Sequence, residues 1–266
     1  MPELAHDRRG SGEPLVLLHG LGSRRNSWEP VIEPVAAQRE VLALDLPGFG
    51  ESSPDPSGTA LRVADYADRV QRFFEEQGLE HPHVAGESMG GGIALELGRR
   101  GAARSVTVFS PIGFWAKPGQ AWCRWSLRLG YELGRLLPKS TPRMVRVALS
   151  RPPLFVFAFG RPFHVPAEEV LETLRSGLGA PGFLGALTYG LDYRFGDPGC
   201  LRDIPLTVAW GRRDVLCPYW TQSREARRRL SWARHVSLPR CGHVPFYDDP
   251  ELCAAVLLEG SAPRSS

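Results

Sequence analysis

Gly86-Glu87-Ser88-Met89-Gly90 is the stretch on which the fold of this 266-residue chain turns. It reads G-x-S-x-G and lies between a short apolar run at 83–85 and a segment that places Ile93, Ala94 and Leu97 at helical spacing. A serine at so sharp a strand-to-helix turn needs strained backbone angles. The positions two before and two after it need glycine, because a side chain at either would strike the neighbouring strand or helix. The hydroxyl then stands above the sheet edge, where a helix N-terminus offers backbone N–H groups to an anion. A bare G-x-S-x-G also occurs by chance as a Gly-rich helix cap. The flanking strand and helix are what make Ser88 a candidate nucleophile.

Outward from that elbow, short apolar runs alternate with longer helical patterns, the sequence form of a parallel sheet covered by helices. Residues 15–18, 41–44, 83–85, 105–109, 206–210 and 234–238 read as strands. Val63, Tyr66, Ala67, Val70, Phe73 and Phe74 make one apolar helix face that stops at Gly78. Further helices are expected from Ser88, over 221–230, and after Pro250. Residues 112–200 break the alternation with helical stretches and many Pro and Gly, as an inserted helical lid would. The expected α/β core is then 1–111 joined to 201–266.

A serine hydroxyl is a poor nucleophile until a base takes its proton. Of the seven histidines, His6, His81, His83, His164 and His235 fall in a terminal segment, beside strands or in the lid, where solvation or packing accounts for them. His243 follows Cys241-Gly242 in the loop after the last strand, above the same sheet edge as Ser88. Its tautomer needs a carboxylate, and Asp214 in Trp210-Gly211-Arg212-Arg213-Asp214 follows the preceding strand. The competing position after residues 105–109 holds Ser110-Pro111-Ile112, with no acid. Asp248 and Asp249 read as cap charges of the last helix. An oxyanion needs two converging donors. The candidates are the N–H of Met89 and, in His19-Gly20-Leu21-Gly22, the N–H of Leu21, with His19 holding that loop rather than acting as a base.

These residues resemble the α/β-hydrolase family from about Pro14 to Gly260. The resemblance rests on His19-Gly20-Leu21-Gly22, Asp45-Leu46-Pro47-Gly48-Phe49-Gly50-Glu51-Ser52, Gly86-Glu87-Ser88-Met89-Gly90-Gly91, Gly211 to Asp214 with Pro218, and Cys241-Gly242-His243. It implies a mostly parallel sheet of seven or eight strands, a lid after the sixth family strand, and a cofactor-independent hydrolase using Ser88, Asp214 and His243. The residues before Pro14 leave room for about one edge strand. Glu87 stands where many relatives have His, Asn or Gln, and is read as a structural side chain bonded to the lid or solvated. The Asp45 turn is read as scaffold.

Composition narrows the remaining classes. A net charge of +3 from 32 basic and 29 acidic residues, with no basic run interleaved with aromatics, argues against a nucleic-acid partner. Five cysteines without C-x-x-C spacing suggest neither a disulfide framework nor a metal site. The first ten residues lack a signal-peptide core, and the longest uncharged stretch, 176–191, is broken by glycines and Pro181. A cytoplasmic protein without a membrane span, acting as monomer or homodimer on a small ester-like molecule, is the expectation.

Residues 112–200 hold 13 of the 25 aromatics, which fits an apolar pocket over Ser88 or equally the core of a small helical layer. They also carry 11 basic and 6 acidic residues. A face of Arg124, Arg128, Arg135, Lys139, Arg143 and Arg146 would attract an anionic substrate or acidic carrier, though such faces are more often simply solvated. The reaction read from these residues is cleavage of carboxylic esters with a medium or apolar acyl or aryl portion. Alternatives are a meta-cleavage C–C hydrolase, disfavoured because Val244 replaces the Trp usual after the histidine, an acyltransferase, cyclase or thioesterase, and a non-catalytic receptor. Dehalogenases and epoxide hydrolases of this fold use an Asp nucleophile, which Ser88 is not.

Overall fold

In the computed structural model, which describes residues 3–136 and 157–262, seven strands make one sheet: β1 (His6–Arg9), β2 (Pro14–Leu18), β3 (Glu40–Leu44), β4 (His83–Glu87), β5 (Ser105–Phe109), β6 (Leu206–Gly211) and β7 (Arg234–Leu238). Their order across the sheet is β1-β3-β2-β4-β5-β6-β7. Only β1 runs antiparallel, with His6 opposite Leu44, and it is the edge strand for which the first residues had room. The other neighbours are parallel, so the C-terminal ends of β2, β4 and β6 open on one edge. In open parallel sheets that edge is where ligands bind.

The described helices are α1 (Glu29–Ala36), α2 (Val63–Glu76), α3 (Met89–Arg99), α4 (Lys117–Leu136), α5 (Ala167–Gly179), α6 (Phe183–Tyr189), α7 (Arg224–Arg229) and α8 (Pro250–Gly260). The apolar face expected of α2 is the face it buries, from Val63 to Phe74. The helix ends as the sequence indicates. Gly78 adopts φ +65, its N–H donates to Glu75 O, and the Leu79 N–H reaches back to Phe74 O at 2.8 Å. This is the paired-bond ending that a glycine beyond the last turn permits.

Both faces of the sheet are covered. Val16 and Leu18 of β2 join one core with Tyr66, Phe73, Ile93 and Leu97 of α2 and α3. Leu15 and Leu17 point the other way, toward Val31, Val35, Val256 and Leu257 of α1 and α8. On that second face Trp28 and Phe109 both pack on Phe246, with ring centroids 4.1 and 5.2 Å away. Burial on both faces is why β2 and β3 read as near-continuous apolar runs, and every residue of β4 and β5 is buried.

Between β5 and β6 the described residues form α4, α5, α6 and short turns, with no strand. Lys139, Arg143 and Arg146 of the expected basic face lie outside the described residues. Of the others, Arg124 pairs with Asp192 at 2.9 Å, Arg128 pairs with Glu132 at 2.8 Å, and the Arg135 guanidinium lies over the Tyr131 ring. No described helix is long and apolar enough to cross a membrane. The helix expected over 221–230 starts differently: Tyr219–Ser223 is a π-turn before α7. There the Ser223 hydroxyl donates to Tyr219 O at 2.6 Å and loosens the first turn.

Candidate active site

Ser88 has φ +53 and ψ −112, backbone angles that L-residues seldom adopt. Its N–H donates to Phe109 O at 2.9 Å, and its carbonyl accepts from the N–H groups of Gly92 and Ile112, each at 3.1 Å. A Cβ on Gly86 would lie 2.2 Å from Gly90 O, and one on Gly90 would lie 2.1 Å from Leu18 O. The first glycine is therefore demanded by α3 and the second by the end of β2, as the motif implied.

The acid and histidine loops lie backbone against backbone. A Cβ on Gly211 would meet Gly242 O at 2.0 Å. The Arg212 N–H donates to Leu238 O at 3.0 Å and the Arg213 N–H to Cys241 O at 2.9 Å. This stitching brings Asp214 to His243, and both to Ser88. The Ser88 hydroxyl donates to His243 Nε2 at 2.8 Å. His243 Nδ1–H donates to Asp214 Oδ2 at 2.9 Å. Asp214 Oδ1 accepts from the N–H groups of Leu216 and Cys217 at 3.0 and 2.8 Å, which fixes the carboxylate plane. All three side chains are buried, Ser88 being 8% exposed.

His19 is buried below the loop that holds Leu21. Its Nδ1–H donates to Gly20 O at 2.8 Å, and its Nε2 accepts the Leu46 N–H at 3.0 Å. Both nitrogens are occupied, and burial pushes the ring's pKa down, so His19 is a brace. It holds Gly20 so close that a Cβ there would stand 3.1 Å from Ser88 Cβ. Met89 opens α3, where a helix leaves its N–H without an intrahelical acceptor. The Asp45 turn is scaffold: Asp45 accepts the Arg25 N–H at 2.7 Å and the Glu51 N–H at 2.9 Å, and pairs with the Arg25 guanidinium.

A family model of the alpha/beta hydrolase fold matches residues 13–250. The chain belongs to that family. Among its relatives, an epoxide hydrolase of Mycobacterium tuberculosis is 48% identical over 216 residues, covering 71% of this chain and 90% of that one. A pimeloyl-[acyl-carrier protein] methyl ester esterase of a Shewanella species is 28% identical over 273 residues, covering 94% and 91%. The crystal structure of a bacterial membrane phospholipase A superposes with a TM-score of 0.72 at 28% identity, covering 97% of this chain and 82% of that one. Some relatives are longer: the chain spans 29% of the length of one that it matches over 110 residues.

Two residues of this hydrolase-fold chain stand elsewhere than the sequence reading placed them. Glu87 is not solvated, and no described residue of 112–200 holds it by a hydrogen bond. It is 4% exposed, with Oε1 3.3 Å from His243 Nε2. The end of β4 is buried on both faces, so the side chain before Ser88 has only the gap between the Gly20 and His243 loops to enter. Burial pushes its carboxyl up to about 7, with His243 opposing and Asp214 adding to the rise. For His243, burial disfavours the charged ring, but Asp214 and Glu87 outweigh it and the ring is pushed up to about 9.

Asp248 is the second correction. Asp249 caps α8 through the Leu252 N–H at 3.3 Å, whereas Asp248 is buried and accepts the N–H groups of Gly160, Arg161 and Gly242 at 2.8, 2.7 and 2.8 Å. It clamps the 158–161 loop onto the histidine loop. Asp248→Ala leaves three donors without their acceptor and is expected to cost about 3 kcal/mol. Calorimetry should read that as a fall of roughly 6–12 °C in the unfolding midpoint. A midpoint unchanged within a degree would remove the clamp's importance. Among the described residues no group of His, Cys, Asp and Glu is arranged to hold a metal ion, and the five cysteines are free thiols.

Proposed function

We propose that this protein is a serine hydrolase of carboxylic esters with a medium or apolar acyl or aryl portion. The observation that carries the reading is the unbroken hydrogen-bond chain from Ser88 Oγ through His243 to Asp214, at 2.8 and 2.9 Å. As the Ser88 oxygen attacks the ester carbonyl, its proton passes to His243 Nε2. The imidazolium is held against Asp214, and the N–H groups of Met89 and Leu21 receive the oxyanion. Collapse expels the alcohol, which takes the proton from Nε2 and leaves an acyl-Ser88. Water, deprotonated by His243, then releases the acid through a second oxyanion. No step calls on a cofactor.

Residues 112–200 act as the lid in this reading, with the catalytic core in 1–111 and 201–266. Ser88 is nearly closed off from solvent, so in this reading substrate enters as the lid opens, and a medium or apolar acyl portion calls for an apolar pocket beneath it. The relative named as a methyl ester esterase, matched along nearly its whole length, supports the ester chemistry. The relative named as an epoxide hydrolase raises a second reading. Opening an epoxide by covalent attack takes a carboxylate at the elbow, and residue 88 here is a hydroxyl, which favours acyl transfer.

The test is a series of nitrophenyl esters of increasing chain length, run beside styrene oxide, with fluorophosphonate labelling mapped to peptides. Ester turnover with an optimum at medium length and label on Ser88 supports the proposal. Epoxide opening without ester turnover would replace it, and absence of any label would make the fold a binding module.

A further inference from the structure

The acyl-transfer steps leave the buried Glu87 carboxyl without a part. Its Oε1 lies 3.3 Å from His243 Nε2, the nitrogen that also takes the Ser88 hydroxyl at 2.8 Å. Yet that oxygen has no hydrogen-bond partner among the described residues, and a bare buried carboxyl oxygen is costly. The protonation of the ring explains both facts. A neutral His243 presents a lone pair at Nε2, which the Ser88 O–H can meet and a carboxylate oxygen cannot. A protonated ring presents Nε2–H, and Oε1 is then the acceptor already in place.

We propose that Glu87 is a positioning residue that shares one proton with His243 and so sets the pH at which the ring can take the proton of Ser88. While the couple holds its proton as imidazolium, Nε2–H points at Oε1 and Ser88 has no base. Loss of that proton to solvent frees the Nε2 lone pair for the serine hydroxyl. During acylation the ring is protonated again, now by Ser88, and Glu87 and Asp214 stabilise it from its two nitrogens until the leaving oxygen takes the proton. The same carboxylate therefore suppresses the site between about pH 7 and 9, where it faces a charged ring, and assists it above that range.

The surroundings agree. Among the described residues, the groups facing the couple are Asp214 on the Nδ1 side, the Gly20 backbone beside the carboxylate, Ser88, and the thiols of Cys123 from α4 and Cys217 from the acid loop. None is a cation, so the imidazolium is the positive charge that answers two carboxylates. The ring is pushed up to about 9, Asp214 and Glu87 overcoming burial, and burial pushes Glu87 up to about 7. Both directions keep a proton in the couple across neutral pH.

The consequence for Ser88 rests on the serine-hydrolase reading; the shared proton does not, and the test separates them. The rate of fluorophosphonate labelling would be followed from pH 5 to 10 in the parent protein and in Glu87→Gln, and the His243 ring titrated by nitrogen NMR in both. The parent midpoint is expected near 9. In Glu87→Gln the midpoint falls by a unit or more, with faster labelling between about pH 7 and 9 and a lower plateau above it, so that the two curves cross. A curve lowered throughout with its midpoint unmoved is what a packing role predicts, and it overturns the proposal. So does a parent ring that titrates near the ordinary histidine value of about 6.5. Should Glu87→Gln not fold, the parent ring titration decides alone. Should Ser88 take no label at any pH, the hydrolase reading falls while the ring titration still decides the shared proton.

Discussion

Ser88→Ala is expected to lower nitrophenyl butyrate turnover by roughly 10⁴-fold or more while leaving the protein folded. Only the hydroxyl is lost, and among the described residues its side chain bonds to His243 Nε2 alone. The strained backbone at φ +53 is held by the Phe109, Gly92 and Ile112 bonds, all main-chain and all retained. Alanine occupies the same angles at no greater steric cost than serine. What remains is what a site retains without its nucleophile, namely oxyanion donors and binding, which elsewhere leave a small residue of catalysis over water. Steady-state kinetics and a thermal melt on one preparation check both halves. Turnover within tenfold of the parent would remove Ser88 as nucleophile, whatever the geometry around it.

The parts of this molecule that could be read from its residues are those where a local pattern has a local cause. The apolar face of α2 and its stop at Gly78 follow from side-chain period and one left-handed residue, and both are present. The elbow glycines are legible because each removes a clash with an adjacent element. The order Ser88, Asp214, His243 is legible because each residue follows a strand that ends at one sheet edge. The place of Glu87 is not legible in the sequence because its neighbours are loops 67 and 156 positions away, at Gly20 and His243, and no pattern around residue 87 reports their approach. Asp248 sits beside a true cap, Asp249, and only the arrival of Gly160 makes it a clamp. The aromatics between β5 and β6 divide in a way composition cannot express. Phe114, Trp115, Phe159, Phe183 and Phe195 are buried, while Trp122, Trp125 and Phe163 face outward. On α4 the exposed apolar positions 122, 125, 129, 133 and 136 keep helical period as well as any core face does, so period alone does not say which side of this helix is covered.

Asp214→Asn tests the other end of the hydrogen-bond chain, and its expected effect is a loss of turnover of about 10⁴-fold with little change in stability. The asparagine oxygen can keep the Leu216 and Cys217 N–H groups that Asp214 Oδ1 accepts, so the acid loop stays in place. The amide nitrogen then faces His243 Nδ1, where a carboxylate oxygen sat at 2.9 Å. It is a donor, and it forces the ring to carry its hydrogen on Nε2. A neutral ring in that tautomer has no lone pair for the Ser88 proton, and the reaction loses its base. The second carboxylate sharpens the outcome here. Nε2–H in this variant points toward Glu87 Oε1, 3.3 Å away, which favours the unproductive tautomer further. Asp214→Asn combined with Glu87→Gln is therefore expected to recover part of the activity lost in Asp214→Asn alone. On the high-pH plateau, where Glu87→Gln alone lowers the rate, a double variant weaker than Asp214→Asn by the full effect of Glu87→Gln would mean that the two carboxylates act independently. Recovery would mean that they compete for the same ring.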